Sequence, residues 1–306
     1  MKEESAFQRL KRKLGERGFS PSSLLGQNFL VDTNLLRSIA ETFPLGPSDL
    51  VVEIGPGPGS LTRPLLERGA RVLAFEVDQR LAAFLEEEVS SWGVEGSLDL
   101  VVLDILQRGK LNPLFLEKLR EAGVPGRPYA LMSNLPYSVA GPVLAGLASC
   151  EIPPARMACL VQWEMGRRLA AAPGSKDYGP LGILVQAAFE VRIQKRVSPE
   201  VFRPRPKVDS ALLTLERREA VPFLGLEERE REAFGRFLRR LFASRRKALR
   251  NGLKSLGWAD LVPKLVDPDG GLAWPEARLG WRPERLCGEE LLELFCFGFL
   301  ELGLDV

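Results

Sequence analysis

Residues 50–62 read LVVEIGPGPGSLT, an apolar run, three glycines at alternate positions, and Ser60 fit to cap the first turn of a helix. An unbroken apolar run is the mark of a strand buried on both faces, which is how parallel strands sit. Glycines directly after such a strand let the chain turn tightly and bring main-chain amides close to a ligand at the N-terminus of the next helix. The stretch predicts a strand–loop–helix unit of an α/β protein, with Gly55 and Gly57 against a ligand.

Outward from this unit the alternation repeats. RVLAFEVD (71–78), LDLVVLD (98–104) and YALMSNLPY (129–137) are further apolar runs, with helical spacing in SLTRPLLERG and RLAAFLEEEVSSW between them. Strands alternating with helices specify a parallel, Rossmann-like sheet with helices on both faces. After Glu216 the strand signals stop. The stretch 226–257 puts Phe234, Phe237, Leu238, Leu241, Phe242 and Leu249 at helical spacing with basic residues between them, the pattern of a small α-helical domain. Two domains are expected, 1–218 and 219–306, divided where Pro222 and Gly225 interrupt two charged runs.

The chain has 306 residues, 45% of them hydrophobic, enough for a substantial core. No uncharged apolar run reaches about 18 residues and the N-terminus is charged from Lys2, so no membrane span or signal peptide is expected and the cytoplasm is the expected compartment. The four cysteines lack C-x-x-C spacing and there is no histidine, so reduced thiols and no metal site are expected. Net charge is only +2, but Arg outnumbers Lys roughly three to one. Arginine suits bidentate phosphate contacts, and the same bias equally follows from heat adaptation or genome composition.

The loop's spacing bears on the ligand. A dinucleotide loop reads G-x-G-x-x-G, whereas here Ser60 stands where the third glycine should pack. Glu53, inside the first strand, needs a cationic or hydrogen-bonding partner and would be repelled by a pyrophosphate. It also suits a carboxylate that caps the loop's own amides. Glu76 closes the next strand about 20 residues after Gly55, where an acidic group takes ribose hydroxyls. Asp104 closes the third, where it can accept from an adenine amine or cap a helix. An amine, a ribose and an adenine without phosphate describe S-adenosylmethionine.

Asn134-Leu135-Pro136-Tyr137 falls at the carboxyl end of the fourth strand, where open α/β sheets hold ligands. An adenine amino nitrogen is a poor nucleophile because its lone pair is delocalised into the ring. The Asn134 side-chain carbonyl and the Leu135 or Pro136 main-chain carbonyl can accept its N–H groups, localising that pair and stabilising the charge that develops on transfer. The proton becomes acidic once the nitrogen is alkylated, so no histidine base is required. Pro136 stiffens the loop, and Tyr137 offers a face on which an extruded base can stack. Arg245, Arg246, Lys247 and Arg250 on a basic helix, and Arg203 and Lys207 in RPRPK, are candidate phosphate contacts that equally read as solvated charge.

In sequence order, GQNFLVD (26–32), VEIGPGPGSLT (52–62), SNLPYS (133–138), VFRPRPKVDSALLTL (201–215) and RRKALRNGL (245–253) resemble the motifs of the ribosomal RNA adenine dimethyltransferase family and span nearly the whole chain. The resemblance implies an S-adenosylmethionine-dependent methyltransferase sheet whose N-terminal segment, 1–32, closes over the cofactor through Gln27, Asn28 and Leu30. It implies cofactor contacts at Gly55, Glu76, Asp104 and Asn134, and a base sandwiched by Tyr137 and Phe202. From the chain alone, Phe202 reads as core. Leu135, the chain length and the RRKALRN stretch resemble the family's housekeeping, kasugamycin-sensitivity branch. That branch dimethylates two adjacent adenines in a hairpin near the 3′ end of small-subunit ribosomal RNA, late in subunit assembly; the macrolide-resistance branch acts on one large-subunit adenine. A monomer acting on the small subunit is the expectation, and a protein that mainly binds immature subunits is the competing one. Ser22 and Ser23 stand where two lysines are usual, which puts an N-terminal RNA contact in doubt. Gly141, Gly182 and Trp163 also depart from the family pattern.

Overall fold

A computed structural model describes residues 6–19, 27–47, 49–267, 272–301, 303 and 305–306. Ser22, Ser23 and Gly26 lie outside these residues, as does much of the segment expected to close over a cofactor. In chain order the elements up to residue 169 are α1 (Ala6–Glu16), β1 (Phe29–Leu30), α2 (Thr33–Ala40), β2 (Leu50–Ile54), α3 (Thr62–Glu67), β3 (Arg71–Glu76), α4 (Gln79–Val89), β4 (Ser97–Val102), β5 (Leu106–Gln107), β6 (Lys110–Leu111), α5 (Pro113–Glu121), β7 (Tyr129–Asn134), α6 (Ala140–Ser149), β8 (Arg156–Gln162) and α7 (Trp163–Leu169). The remaining strands are β9 (Phe189–Val197), β10 (Phe202–Arg203) and β11 (Ser210–Arg217).

Contacts divide the chain into two units, the first comprising Met1–Leu147, Pro154–Gly166 and Arg192–Glu216. Its centre is a seven-stranded sheet in the order β4-β3-β2-β7-β8-β11-β9. Neighbours from β4 to β8 are parallel, and β11 runs antiparallel to β8. The expected α/β class is therefore the observed one, and the expected parallel pairing holds from β4 to β8 but not at β11. Every residue of β2 is buried, which explains its unbroken apolar run, while β4 at the sheet edge alternates exposed and half-buried positions. Helices α2, α4 and α5 begin at side-chain caps: Asp32 accepts from the Leu35 amide, Asp78 from Arg80 and Asn112 from Leu114, whereas α3 starts after Leu61 without the cap expected of Ser60. Ile39, Val51, Leu65, Val72, Met132 and Leu160 belong to a core beneath the sheet. Full burial of each such side chain stabilises by about 1.5–3 kcal/mol before the entropy of ordering it is subtracted.

The second unit comprises Ala148–Pro153, Arg167–Val191 and Arg217–Val306. It contains α8 (Pro180–Ala188), α9 (Pro222–Gly225), α10 (Glu228–Ala243), α11 (Leu249–Leu256), α12 (Leu261–Lys264) and α13 (Gly288–Phe295), the last running into a π-helical turn over Cys296–Glu301. The sequence division put 148–153 and 167–191 with the sheet; they join the helices because α8 is apolar and packs on α10. Glu227 and Glu230 form a reciprocal capping box at the start of α10. Phe237 stacks on Trp258 at 5.1 Å between ring centroids, and Phe234 meets Phe295 at 5.4 Å. Gly182 is explained locally, since a Cβ there would run into the main-chain carbonyl oxygen of Arg168.

Two local expectations are corrected. Arg245, Arg246 and Lys247 do not lie on a helix: they form the turn between α10 and α11, and only Arg250 is helical. The Lys247 amide donates to the Ser244 carbonyl at 2.8 Å within this turn, and the Leu249 amide donates to the Trp281 carbonyl at 2.7 Å. Asp104 caps no helix; it accepts from the Leu106 amide at 3.0 Å and so makes the turn into the β5–β6 hairpin.

Gly96 gives a sharp test of the first unit's packing. A Cβ there would sit 2.8 Å from the Leu66 carbonyl oxygen and 2.9 Å from its Cα, main-chain atoms that cannot rotate away. Gly96→Ala is expected to destabilise by about 1–3 kcal/mol, read as a lower urea midpoint at unchanged slope.

Candidate active site

Parallel strands deliver their carboxyl ends to one edge, so β2, β3, β4 and β7 bring their following loops together there. The loop after β2 has positive φ at Gly55 (69°), Gly57 (56°) and Gly59 (86°). Its course also needs room: a Cβ on Gly55 would meet Pro136 Cγ at 3.2 Å, and one on Gly57 would meet the Phe29 ring at 3.0 Å. The glycine loop is thus packed against the NLPY segment and the β1 segment at two points without side chains of its own.

Glu76 fixes this loop. Its Oε2 accepts from the Gly57 N–H and its Oε1 from the Asp78 N–H, both at 3.0 Å. Burial pushes its carboxyl up from the usual range, and these amides work in the opposite direction. Glu53 is 2% exposed and accepts from the Thr62 hydroxyl at 2.7 Å. Burial, with a smaller contribution from the Glu76 charge, pushes its pKa up to about 8 against the lowering effect of that hydroxyl.

Beside the loop lies a cavity of about 350 Å³, within the size range of small-molecule sites. Gln27, Asn28, Gly55, Gly57, Glu76 and Asp104 line it, together with Asn134, Leu135, Pro136 and Tyr137. Glu53 and Leu30 line a crevice of about 20 Å³ that shares Phe29, Gly55 and Asn134 with the larger cavity. The Asn134 amide is oriented by the chain, because its Nδ2 donates to the Asn28 carbonyl at 2.9 Å. With Nδ2 committed, Oδ1 is the atom left to accept from a substrate. The Leu135 side chain is buried, so only its main chain can serve. The Tyr137 phenol meets the Ser210 hydroxyl at 2.6 Å.

The structure does not bring every expected residue to the cavity. Phe202 is wholly buried in the core, its backbone paired with Leu30 across the antiparallel β1–β10 ladder, and it offers no open ring face. Arg203 sits on the same ladder opposite Phe29 and donates from Nη1 to the Glu200 and Phe202 carbonyls, while Lys207 is exposed in the following loop. In the second unit Arg245 pairs with Glu284 at 2.8 Å, and Arg246, Lys247 and Arg250 are exposed. Val77, Leu103 and Ile105 are wall residues that the sequence reading missed. Val77 is 45% exposed, and the available signal was an apolar residue directly after each strand-ending acid. Among the described residues no group of three or more potential metal ligands occurs, and no helix is long and apolar enough to cross a membrane.

Comparison with known proteins follows the same lines. A family model described as "Ribosomal RNA adenine dimethylase" matches residues 19–267. Proteins named "Ribosomal RNA small subunit methyltransferase A" from Bacillus cytotoxicus and Bacillus cereus are each 37% identical over 255 residues, covering 83% of this chain and 84% of theirs. A dimethyladenosine transferase structure from Plasmodium falciparum superposes with a TM-score of 0.70 at 22% identity, covering 90% of this chain and 99% of that one. The structure of the 23S rRNA methyltransferase ErmE gives 0.56 at 28% identity, covering 88% and 98%.

The elevated Glu53 carboxyl has a consequence for stability. Its pKa is about 8 in the folded chain against 4.5 ordinarily, so the folded state holds the extra proton between these values. Stability is therefore unpenalised below about 4.5 and falls as pH rises toward 8, by at most about 1.4 kcal/mol per pH unit from this group. Glu53→Gln is expected to flatten that slope in urea titrations at pH 5 and pH 8; an unchanged slope would show that the carboxyl is already ionised.

Proposed function

This chain belongs to the ribosomal RNA adenine dimethylase family and is a methyltransferase of ribosomal RNA adenines; from that premise we propose that it is the housekeeping enzyme of the small subunit. Its substrate is then a pair of adjacent adenines in a hairpin near the 3′ end of small-subunit ribosomal RNA, each receiving two methyl groups late in subunit assembly, in the cytoplasm and by a monomer. The observation that carries this reading is the convergence of Asn134, Leu135, Pro136 and Tyr137 with Glu76 and Asp104 around one cavity. The likeness to relatives named for the small subunit supports the choice of substrate.

S-adenosylmethionine is the donor the residues fit. Glu53 is a buried carboxyl whose partner among the described residues is a neutral hydroxyl, and an ammonium beside it would bring its pKa back down and favour the carboxylate. Glu76 spends one lone pair of each oxygen on amides and keeps others for ribose hydroxyls. Asp104 is exposed at the cavity wall, and Val77 and Ile105 supply apolar surface for an adenine. When bound, the cofactor supplies a methyl group activated on a sulfonium.

The chain's own residues then act on the target base. Asn134 Oδ1 and the Leu135 main-chain carbonyl accept the two N–H groups of the adenine amine, favouring a tetrahedral nitrogen whose lone pair faces the methyl. The same acceptors stabilise the positive charge that follows transfer, and the proton leaves the alkylated nitrogen without a dedicated base. Tyr137 takes the ring face. Phe202 joins it only after a rearrangement of β10, since its ring is enclosed. Arg203, Lys207, Arg246, Lys247 and Arg250 are the candidate phosphate contacts, with Arg245 able to join them by releasing Glu284.

Labelled methyl transfer to small subunits lacking the modification, run beside large subunits and mapped by mass spectrometry, is expected to yield two dimethyladenines on the small subunit alone. Label only on the large subunit would move the chain to the resistance branch. Binding without any transfer would favour an assembly role. Asn134→Ala is expected to cut turnover about 100–1,000-fold with a far smaller change in cofactor affinity. Replacing both Arg246 and Lys247 by Ala should lower the salt slope of RNA binding by about 2, and an unchanged slope would remove them from the interface.

A further inference from the structure

Tyr137 is half-buried at the cavity wall, and nothing in its own loop holds the far end of its ring. That end meets Ser210, 73 positions later in the chain, in a hydroxyl–hydroxyl contact of 2.6 Å. Ser210 is not among the residues that line the cavity, and its hydroxyl reaches the cavity wall through the phenol.

The hydroxyl is mounted on a stiff element. Ser210 is fully buried and opens β11, in register with Gln162 of β8. The residue before it is held twice: the Asp209 carbonyl accepts from the Trp163 N–H at 2.9 Å, and the Asp209 carboxylate accepts from Arg196 Nε at 2.9 Å. The Arg196 guanidinium in turn lies over the Trp163 ring, 5.0 Å from its centroid. With its backbone fixed in this way, a serine has one side-chain torsion left, and the short bond to Tyr137 uses it. The exposed loop that carries Lys207, a candidate phosphate contact, leads directly into this position.

We infer that Ser210 is a positioning residue for methyl transfer: it fixes the angle of the Tyr137 ring so that a stacked adenine presents its amine to Asn134 Oδ1. The inference rests on the reading of the cavity as the adenine site. Without the bond the ring rotates about its first two torsions, and the base is held in a wider range of poses, of which fewer are reactive.

Five proteins decide it: wild type, S210A, Y137F, the double variant, and S210T as the conservative replacement. Each is assayed for kcat and KM on unmethylated small subunits, for S-adenosylmethionine affinity by calorimetry, and for folded fraction at the assay temperature by circular dichroism. S210A and Y137F are each expected to lower kcat roughly tenfold at unchanged cofactor affinity, the double variant to be no slower than either single, and S210T to retain most of the wild-type rate. Additive losses would overturn the inference, because Ser210 would then act independently of the phenol. So would a wild-type kcat in S210A, or a loss matched by its unfolded fraction. A wild-type protein inactive on small subunits would instead overturn the function proposed above, and would do so before any variant is compared.

Discussion

A buried carboxylate that grips main-chain amides is the interaction from which the rest of the site follows. Leaving Glu76 at 4% exposure without partners would cost several kcal/mol, and its two oxygens meet that cost by accepting from the Gly57 and Asp78 amides. The bond to Gly57 holds a loop whose glycines have conformations that residues with a Cβ avoid. Because that loop presents no side chains, Pro136 and the Phe29 ring can approach it directly. One side chain therefore sets the spacing of three chain segments distant in sequence.

The parallel sheet explains why the chemistry is gathered at one edge. Strands β2, β3 and β7 run the same way, so the residues that end them, Ile54, Glu76 and Asn134, face one cavity although they are far apart in the chain. The Ser133 hydroxyl donates to the Ile54 carbonyl at 2.6 Å and ties the two strand ends directly. This geometry suits a reaction that needs acceptors and orientation more than proton abstraction, in keeping with a chain that has no histidine. Positioning of this kind is worth up to about 7–11 kcal/mol in favourable cases, a scale that leaves room for catalysis without a strong base.

The sheet was legible in the sequence because burial on both faces writes itself as unbroken apolar runs, and the acids that end those runs stand at the predicted strand ends. What escaped notice depends on contacts between distant segments. Nothing local in 167–191 shows that α8 packs on α10 and so belongs with the second unit. The RRK cluster reads as helical by periodicity, yet the chain turns there, and the Leu249 amide bonds to the Trp281 carbonyl 32 positions away, a contact that no local spacing announces. Phe202 shows a different limit. A ring flanked by basic residues and prolines looks available, but its pairing with Leu30 encloses it. Val77 and Ile105 were overlooked because an apolar residue after a strand carries no chemistry of its own, only surface.

The grip on the Asn134 amide comes from the peptide carbonyl of residue 28 and not from that residue's side chain. Every amino acid carries that carbonyl. Codon changes at position 28 consequently leave the acceptor intact so long as the chain keeps its course, whereas no replacement at 134 preserves a planar amide of the same reach. This bond thus depends on residue 28 through its main chain alone and on residue 134 through its side chain, while the Asn28 side chain answers to the cavity it lines.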